Sequence, residues 1–239
     1  MQVKKIISVF ILLALVFMTE EWSIAADRGN KPPLLIERII QANTENTDGF
    51  PAVELLQTAL SGYEILKEEH TINRPEVITI IDFSLPSSQE RLWVLDLVEA
   101  KVLFYCLVSH GRNSGELMAE NFSNNPGSYT SSPGFYTTGE TYFGKHGFSL
   151  RLDGIENGIN DKARERAIVI HGAEYVSPDF VKKYGRLGRS LGCPAVPEEL
   201  SKEIIETIKD GTCLFVYAPA KSYLTNSPII TKITSSKKG

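Results

Sequence analysis

A mainly β domain with attached helices is the fold class this sequence predicts, and three observations carry it. Short β-branched and apolar runs recur between residues 77 and 217, broken by Gly, Pro, Asn and Ser clusters. Two segments, 51–69 and 197–210, instead place apolar residues at helical spacing. The chain of 239 residues, 42% hydrophobic, is ordinary in composition and long enough for one domain with a proper core.

The first element is a leader. Lys4 and Lys5 precede an apolar run from Ile6 to Met18, which Glu20 and Glu21 close. Ser23-Ile24-Ala25 then offers the small residues that a signal peptidase reads. The run falls short of the ~20 residues a spanning helix needs, so residues 1–25 read as a cleaved export signal, with a retained membrane anchor as the other reading. No cysteine follows the run, which excludes a lipoprotein anchor. No second long apolar run occurs, so a soluble, exported mature protein is expected.

Residues 26–50 are polar and irregular. From Pro51 to Glu69, Leu56, Ala59, Leu60, Tyr63 and Leu66 recur on one helical face, with Pro51 suited to the first turn. Strands are expected at 77–83, 91–97 and 101–108, the last apolar on both faces and therefore expected to be buried. Residues 111–132 read as a long loop, 134–138 and 148–152 as short strands, and 153–166 as loop. Residues 167–170 form an apolar strand that runs into His171-Gly172. Ser177-Pro178-Asp179 starts a helical turn that Gly185 ends. In 197–210, Leu200, Ile204 and Ile208 share a face, Glu198 and Glu199 sit in the first turn, and Gly211 follows the end. Residues 213–217 make the last strand. The chain thus divides into the leader, a helical lead-in at 26–75, a main domain at 76–220 and a polar tail at 221–239, where Lys221, Lys232, Lys237 and Lys238 read as solvated.

A net charge of −4 argues against nucleic acid as a partner. Three cysteines in an exported chain imply at least one free thiol. Cys106 and Cys213 lie in apolar strands and read as core thiols, with a disulfide between them as the alternative. His70, His110 and His146 are scattered without metal-ligand spacing, so no metal site is expected. His146 reads as a surface residue, with reach into the site as the other reading.

Chemistry concentrates between residues 167 and 196. A strand delivers His171, and Gly188-Arg189-Ser190-Leu191-Gly192-Cys193-Pro194 follows. A thiol becomes a competent nucleophile once an imidazole takes its proton. The oxyanion that follows needs preorganised N–H donors; Gly192 lets the backbone approach closely, and Pro194 stiffens the exit. Spacing alone leaves two readings open: a catalytic His171–Cys193 pair, or a structural thiol and a surface imidazole. Arg186 and Arg189 flank the turn, suited to hold a substrate carboxylate or lower the Cys193 pKa, or simply solvated. Tyr142 and Tyr175 read as packing residues, with lining of a cleft as the other reading.

His171-Gly172, followed by Ser190-Leu191-Gly192-Cys193-Pro194-Ala195-Val196, resembles the catalytic signature of the murein L,D-transpeptidases, the YkuD-like family. Ser132-Pro133-Gly134-Phe135-Tyr136 resembles one of its strand starts, and the likeness spans roughly residues 76–220. Leu191 and Ala195 depart from it, standing where many members carry a second His and an Arg or Asn.

The resemblance implies a sandwich or barrel-like β domain and a cofactor-free enzyme acting on peptidoglycan stem peptides. Cys193 would attack the diaminopimelate–D-alanine carbonyl, and His171 would serve as base and then acid. Gly192 and Cys193 would supply the oxyanion donors, and Ser190 would position the turn or His171. Arg189, Arg186 and Gly172 would contact substrate. The acceptor would be a second stem or a wall-attached protein, and carbapenem β-lactams would inhibit. Water as acceptor would make a carboxypeptidase or amidase, and a non-catalytic wall-binding module is the rival of another class. A sortase needs Arg after the Cys, and a papain-like peptidase needs His after it; neither follows Cys193 here.

Overall fold

Alternation along one central strand sets the two faces of the sheet. In Val77–Asp82 (β1), Ile78 and Ile80 are buried on one side, Val77 and Ile81 on the other. A strand covered on both faces reads as such a continuous apolar run. The computed structural model describes residues 35–43, 49–69 and 71–236. The expected leader, His70 and residues 237–239 lie outside the described residues.

The further strands are Leu92–Asp96 (β2), Lys101–Cys106 (β3), Gly134–Gly144 (β4), Gly147–Gly154 (β5), Val169–Gly172 (β6), Ala195–Val196 (β7) and Cys213–Tyr217 (β8). They form one eight-stranded sheet in the order β3-β2-β1-β8-β4-β5-β6-β7. Pairing is antiparallel except for β1 with β8 and β6 with β7. The outer edges approach each other beyond β3: Ser109 N–H donates to Ala195 O at 2.9 Å, Ser190 N–H to His110 O at 3.0 Å and Arg112 N–H to Ser190 O at 2.8 Å. The sheet is therefore nearly closed, and the seam runs through the segment that carries Cys193.

The helices are Leu35–Asn43 (α1), Val53–Glu68 (α2), Pro178–Tyr184 (α3), Glu198–Ile208 (α4), Lys221–Asn226 (α5) and Pro228–Ser236 (α6). The apolar stripe of α2 (Leu56, Ala59, Leu60, Tyr63 and Leu66) is buried against Ile78, Ile80, Phe135 and Phe215 of the sheet. Gly62 permits this close approach, because a Cβ there would lie 2.0 Å from the Phe135 ring. On the opposite face, Ile204, Ile205 and Ile208 of α4 pack with Ile81, Ile170, Val196 and Leu214. Ser177 caps α3 by accepting from Phe180 N–H, and Gly185 ends it in the left-handed region.

Three expectations are corrected. Residues 221–236 are not a solvated tail: Tyr223, Ile229, Ile230 and Ile233 join the α2 core, and Ser227 Oγ donates to the buried Glu156 carboxylate. Lys221 and Lys232 lie on the outer side of these helices. The strand expected to be buried on both faces, β3, lies at the sheet edge and is partly exposed, because its neighbours cover only one side. Finally, β4 and β5 run past their expected ends. Their hairpin pairing continues to Gly144 and Gly147, across Gly139-Glu140-Thr141-Tyr142-Phe143, where no apolar alternation reveals it.

Candidate active site

The β6 strand carries His171 inside the sheet, where it is 2% exposed. Its Nδ1–H donates to Gly172 O at 2.8 Å. In the neutral ring that bond leaves Nε2 as the acceptor. Burial holds the His171 pKa below the ordinary imidazole value; the Gly172 bond opposes this and the charge of His146 adds to it. The imidazole is therefore neutral and basic at Nε2 around neutral pH.

His146 reaches this ring. It sits in the β4–β5 turn, and its ring stacks on His171 with centroids 4.4 Å apart and planes 23° apart. The expected surface histidine is exposed, yet it forms one wall of the base. Pairing of β5 with β6, with Ser149 opposite His171, brings the turn there.

In the parallel register, His171 pairs with Ala195 of β7, two residues after Cys193. The Cys193 thiol is partly exposed and accepts from Val169 N–H at 3.4 Å. Its own proton points to Ala167 O at 3.7 Å, so no hydrogen bond joins it to His171. Burial raises the thiol pKa, while the Val169 N–H and the Arg166 charge lower it. At rest the thiol is thus protonated and the imidazole neutral.

Backbone geometry makes the turn. Gly192 has φ +126, and a Cβ there would lie 2.8 Å from Thr130 O, so only glycine fits. Ser190 spans the turn: its hydroxyl donates to Cys193 O at 2.6 Å and accepts from Gly192 N–H at 3.0 Å. Ser190 therefore positions the turn and makes no bond to His171. The Gly192 N–H, expected as an oxyanion donor, is already committed to Ser190. Among the described residues the Cys193 N–H meets no acceptor and remains available. Ser131 Oγ supports the turn by donating to Gly192 O at 3.2 Å.

The flanking arginines behave differently from expectation. Arg186 Nε and Arg189 Nη1 grip the two oxygens of Glu116 at 2.8 and 2.5 Å. Arg189 also donates to Arg112 O and Gly115 O. The two share that one carboxylate, and the cation whose charge reaches Cys193 is Arg166. Gly172 faces away from the cleft: a Cβ there would strike Ser201 of α4 at 2.7 Å. Tyr175 lies near the thiol, and burial, reinforced by a Cys193 charge, raises its phenol to about 12. Tyr142 packs beneath Arg151, whose guanidinium lies 4.4 Å from its ring centre. Leu191 projects beside the nucleophile, 58% exposed. His110 is not scattered surface but fully buried, accepting from Arg91 Nη2 at 2.8 Å.

Arg166, in the stretch 153–166 read as polar loop, is the residue that sequence reasoning missed; for His146 the reach into the site was the second of two readings. The Gly144-Lys145-His146-Gly147 pattern was a usable hairpin signal, but nothing local says which strand the hairpin would lie beside.

Residues 51–217 match the family described as YkuD_2, L,D-transpeptidase catalytic domain. None of the curated proteins compared matches the chain. Among solved structures, an L,D-transpeptidase from Mycobacterium smegmatis is 15% identical, with 60% of this chain and 59% of that one covered and a TM-score of 0.37. L,D-transpeptidase 3 from Mycobacterium tuberculosis, in complex with a faropenem-derived adduct, is 14% identical over 60% of each chain, with a TM-score of 0.39. An L,D-transpeptidase (Yku) from Stackebrandtia nassauensis is 14% identical over 78% of this chain and 77% of that one, with a TM-score of 0.37. The chain spans 59% and 60% of the length of the first two.

Proposed function

The chain belongs to the L,D-transpeptidase catalytic domain family, and from that premise we propose that it acylates itself on peptidoglycan stem peptides through a Cys193 thioester. The observation that carries this reading is the reachable thiol on a glycine-strained turn, in register with a buried imidazole whose free nitrogen is a base. Cys106 and Cys213 are buried, 4% and 0% exposed, and offer no such nucleophile.

The reaction runs in two halves. Substrate turns the thiol from Ala167 O toward His171; such catalytic bonds are often loose before substrate binds. The Sγ proton passes to His171 Nε2 as Sγ attacks the diaminopimelate–D-alanine carbonyl. The oxyanion is met by the Cys193 N–H. The C–N bond then breaks, and His171 returns the proton to the departing D-alanine amine. In the second half, the amine of another stem, or of a wall-attached protein, attacks the thioester. His171 takes the proton lost from that amine and passes it to the departing thiolate. Water in the same place gives a carboxypeptidase, and the products of incubation with tetrapeptide stems separate the two. A substrate carboxylate at Arg186 and Arg189 must displace Glu116. Export through residues 1–25 belongs to the same reading, since murein lies outside the cytoplasm.

Intact-protein mass spectrometry after exposure to a carbapenem tests the proposal. The wild type gains one adduct, and Cys193→Ala gains none. Equal labelling of both proteins overturns the assignment of the nucleophile. No adduct on either, together with no turnover of stem peptides, leaves a wall-binding module instead.

A further inference from the structure

Arg166 reaches the nucleophile turn from the loop ahead of β6. Its Nη1 donates to Ser123 O at 2.8 Å and Ser132 Oγ at 2.6 Å. Its Nη2 donates to Thr130 O at 2.6 Å and Ser128 Oγ at 3.3 Å. Every partner is neutral. Arg74, Arg151, Arg164, Arg186 and Arg189 each pair with a carboxylate; Arg166 has no such partner among the described residues. Four hydrogen bonds occupy the donors on its two Nη atoms and lock its plane, yet they leave the net charge uncompensated. A cation partly removed from water is costly until an anion faces it.

The position of the guanidinium indicates where that anion forms. Nη2 would lie 3.3 Å from a Cβ built on Gly192, and Thr130 O, its own acceptor, 2.8 Å from the same point. Bare glycine at 192 therefore keeps the space between Arg166 and the nucleophile's backbone clear of side chain. Around Cys193 lie the Val169 N–H of β6, Tyr175 beyond β6, and Arg166, with His171 further along β6 in register with Ala195. Arg186 and Arg189 share the single carboxylate of Glu116. Tyr136, whose hydroxyl donates to Ser132 O at 2.9 Å, is the titratable group beside Arg166 itself. Of all these, only Cys193 becomes an anion during turnover.

We propose that Arg166 is the counter-charge of the Cys193 thiolate, held ready by neutral partners and used when the thiol proton leaves. The inference rests on Cys193 being the nucleophile. The guanidinium acts through the sulfur and touches no substrate atom, so it is a positioning residue for charge. The direction of its influence on the thiol, downward against burial, agrees with this placement. The role is filled from the loop before β6, while Ala195, close after Cys193, carries no charge.

The test is the pH dependence of Cys193 alkylation by iodoacetamide, located by mass, in the wild type, Arg166→Gln and Arg166→Lys. Arg166→Gln is expected to raise the alkylation midpoint by about one pH unit, roughly a ten-fold loss of thiolate below it. Arg166→Lys, which keeps the charge, is expected to restore most of the difference. Arg166→Met, which drops the charge together with its donors, replaces the Gln variant should that one fail to fold. A folded, charge-free variant with an unmoved midpoint overturns the proposal, even where its activity falls. Because alkylation reads the sulfur alone, a shifted midpoint with neither a carbapenem adduct nor turnover of stem peptides would uphold the counter-charge and sink the transpeptidase reading.

Discussion

At the scale of single residues, His171 and its neighbours set the pH behaviour. The His171 pKa is depressed by burial first and by the charge of His146 in addition. A depressed pKa keeps the base neutral to lower pH, so the acid limb of acylation is expected below the ordinary imidazole value of about 6.5. Loss of the stacked ring in His146→Ala both opens His171 to water and removes that charge, and both changes raise its pKa. The acid limb then moves to higher pH. His146→Phe keeps the stack without the charge and is expected to hold an intermediate position. Stopped-flow acylation by a chromogenic β-lactam across pH measures this; an unmoved limb in His146→Ala would remove His146 from the site. His171→Ala is expected to slow the same reaction by about 10²–10⁴-fold.

At the scale of elements, the C-terminal helices α5 and α6 belong to the core. Ile233 is 6% exposed within the cluster built on α2. Removing its side chain beyond Cβ costs about 2–5 kcal/mol in a packed core. Ile233→Ala is therefore expected to lower the urea midpoint clearly, whereas a solvated tail would leave it in place. The spacing of Tyr223, Ile229, Ile230 and Ile233 was legible as a helical stripe. Interleaved Ser, Thr and Lys residues gave it the composition of a tail. Helices 51–69 and 197–210 were readable because their stripes are longer and their ends carry clear punctuation. The edge position of β3 was not readable, since an apolar run looks the same whether one face or two will be covered.

At the scale of the whole molecule, the nearly closed sheet separates the three thiols. Cys213 lies on the α2 face and Cys106 on the α4 face, each in its own cluster, so the disulfide considered from the sequence does not form. Only Cys193, on the seam between the sheet edges, meets solvent. A thiol reagent is expected to titrate one group rapidly in the native protein and three after denaturation. Rapid modification of a second native thiol would contradict this burial. The same seam explains why catalytic parts far apart in sequence converge. Segment 109–112 pairs with 190–195, and loop 123–132 lies over the turn with Arg166 beneath it.

The sequence by itself determined the mainly β class and the principal helices, because each is written in contiguous residues whose chemistry is local, and it carried the His171 and Gly192-Cys193 motif as a family resemblance. Tertiary structure alone decided which partners those residues meet. Glu116 takes the arginines expected to face substrate, Ser190 takes the Gly192 N–H, His146 stacks on the base, and Arg166 approaches the nucleophile. The physical reason is register. These contacts depend on which strand lies beside which and where the sheet closes, and strand pairing is set by burial summed over the whole domain.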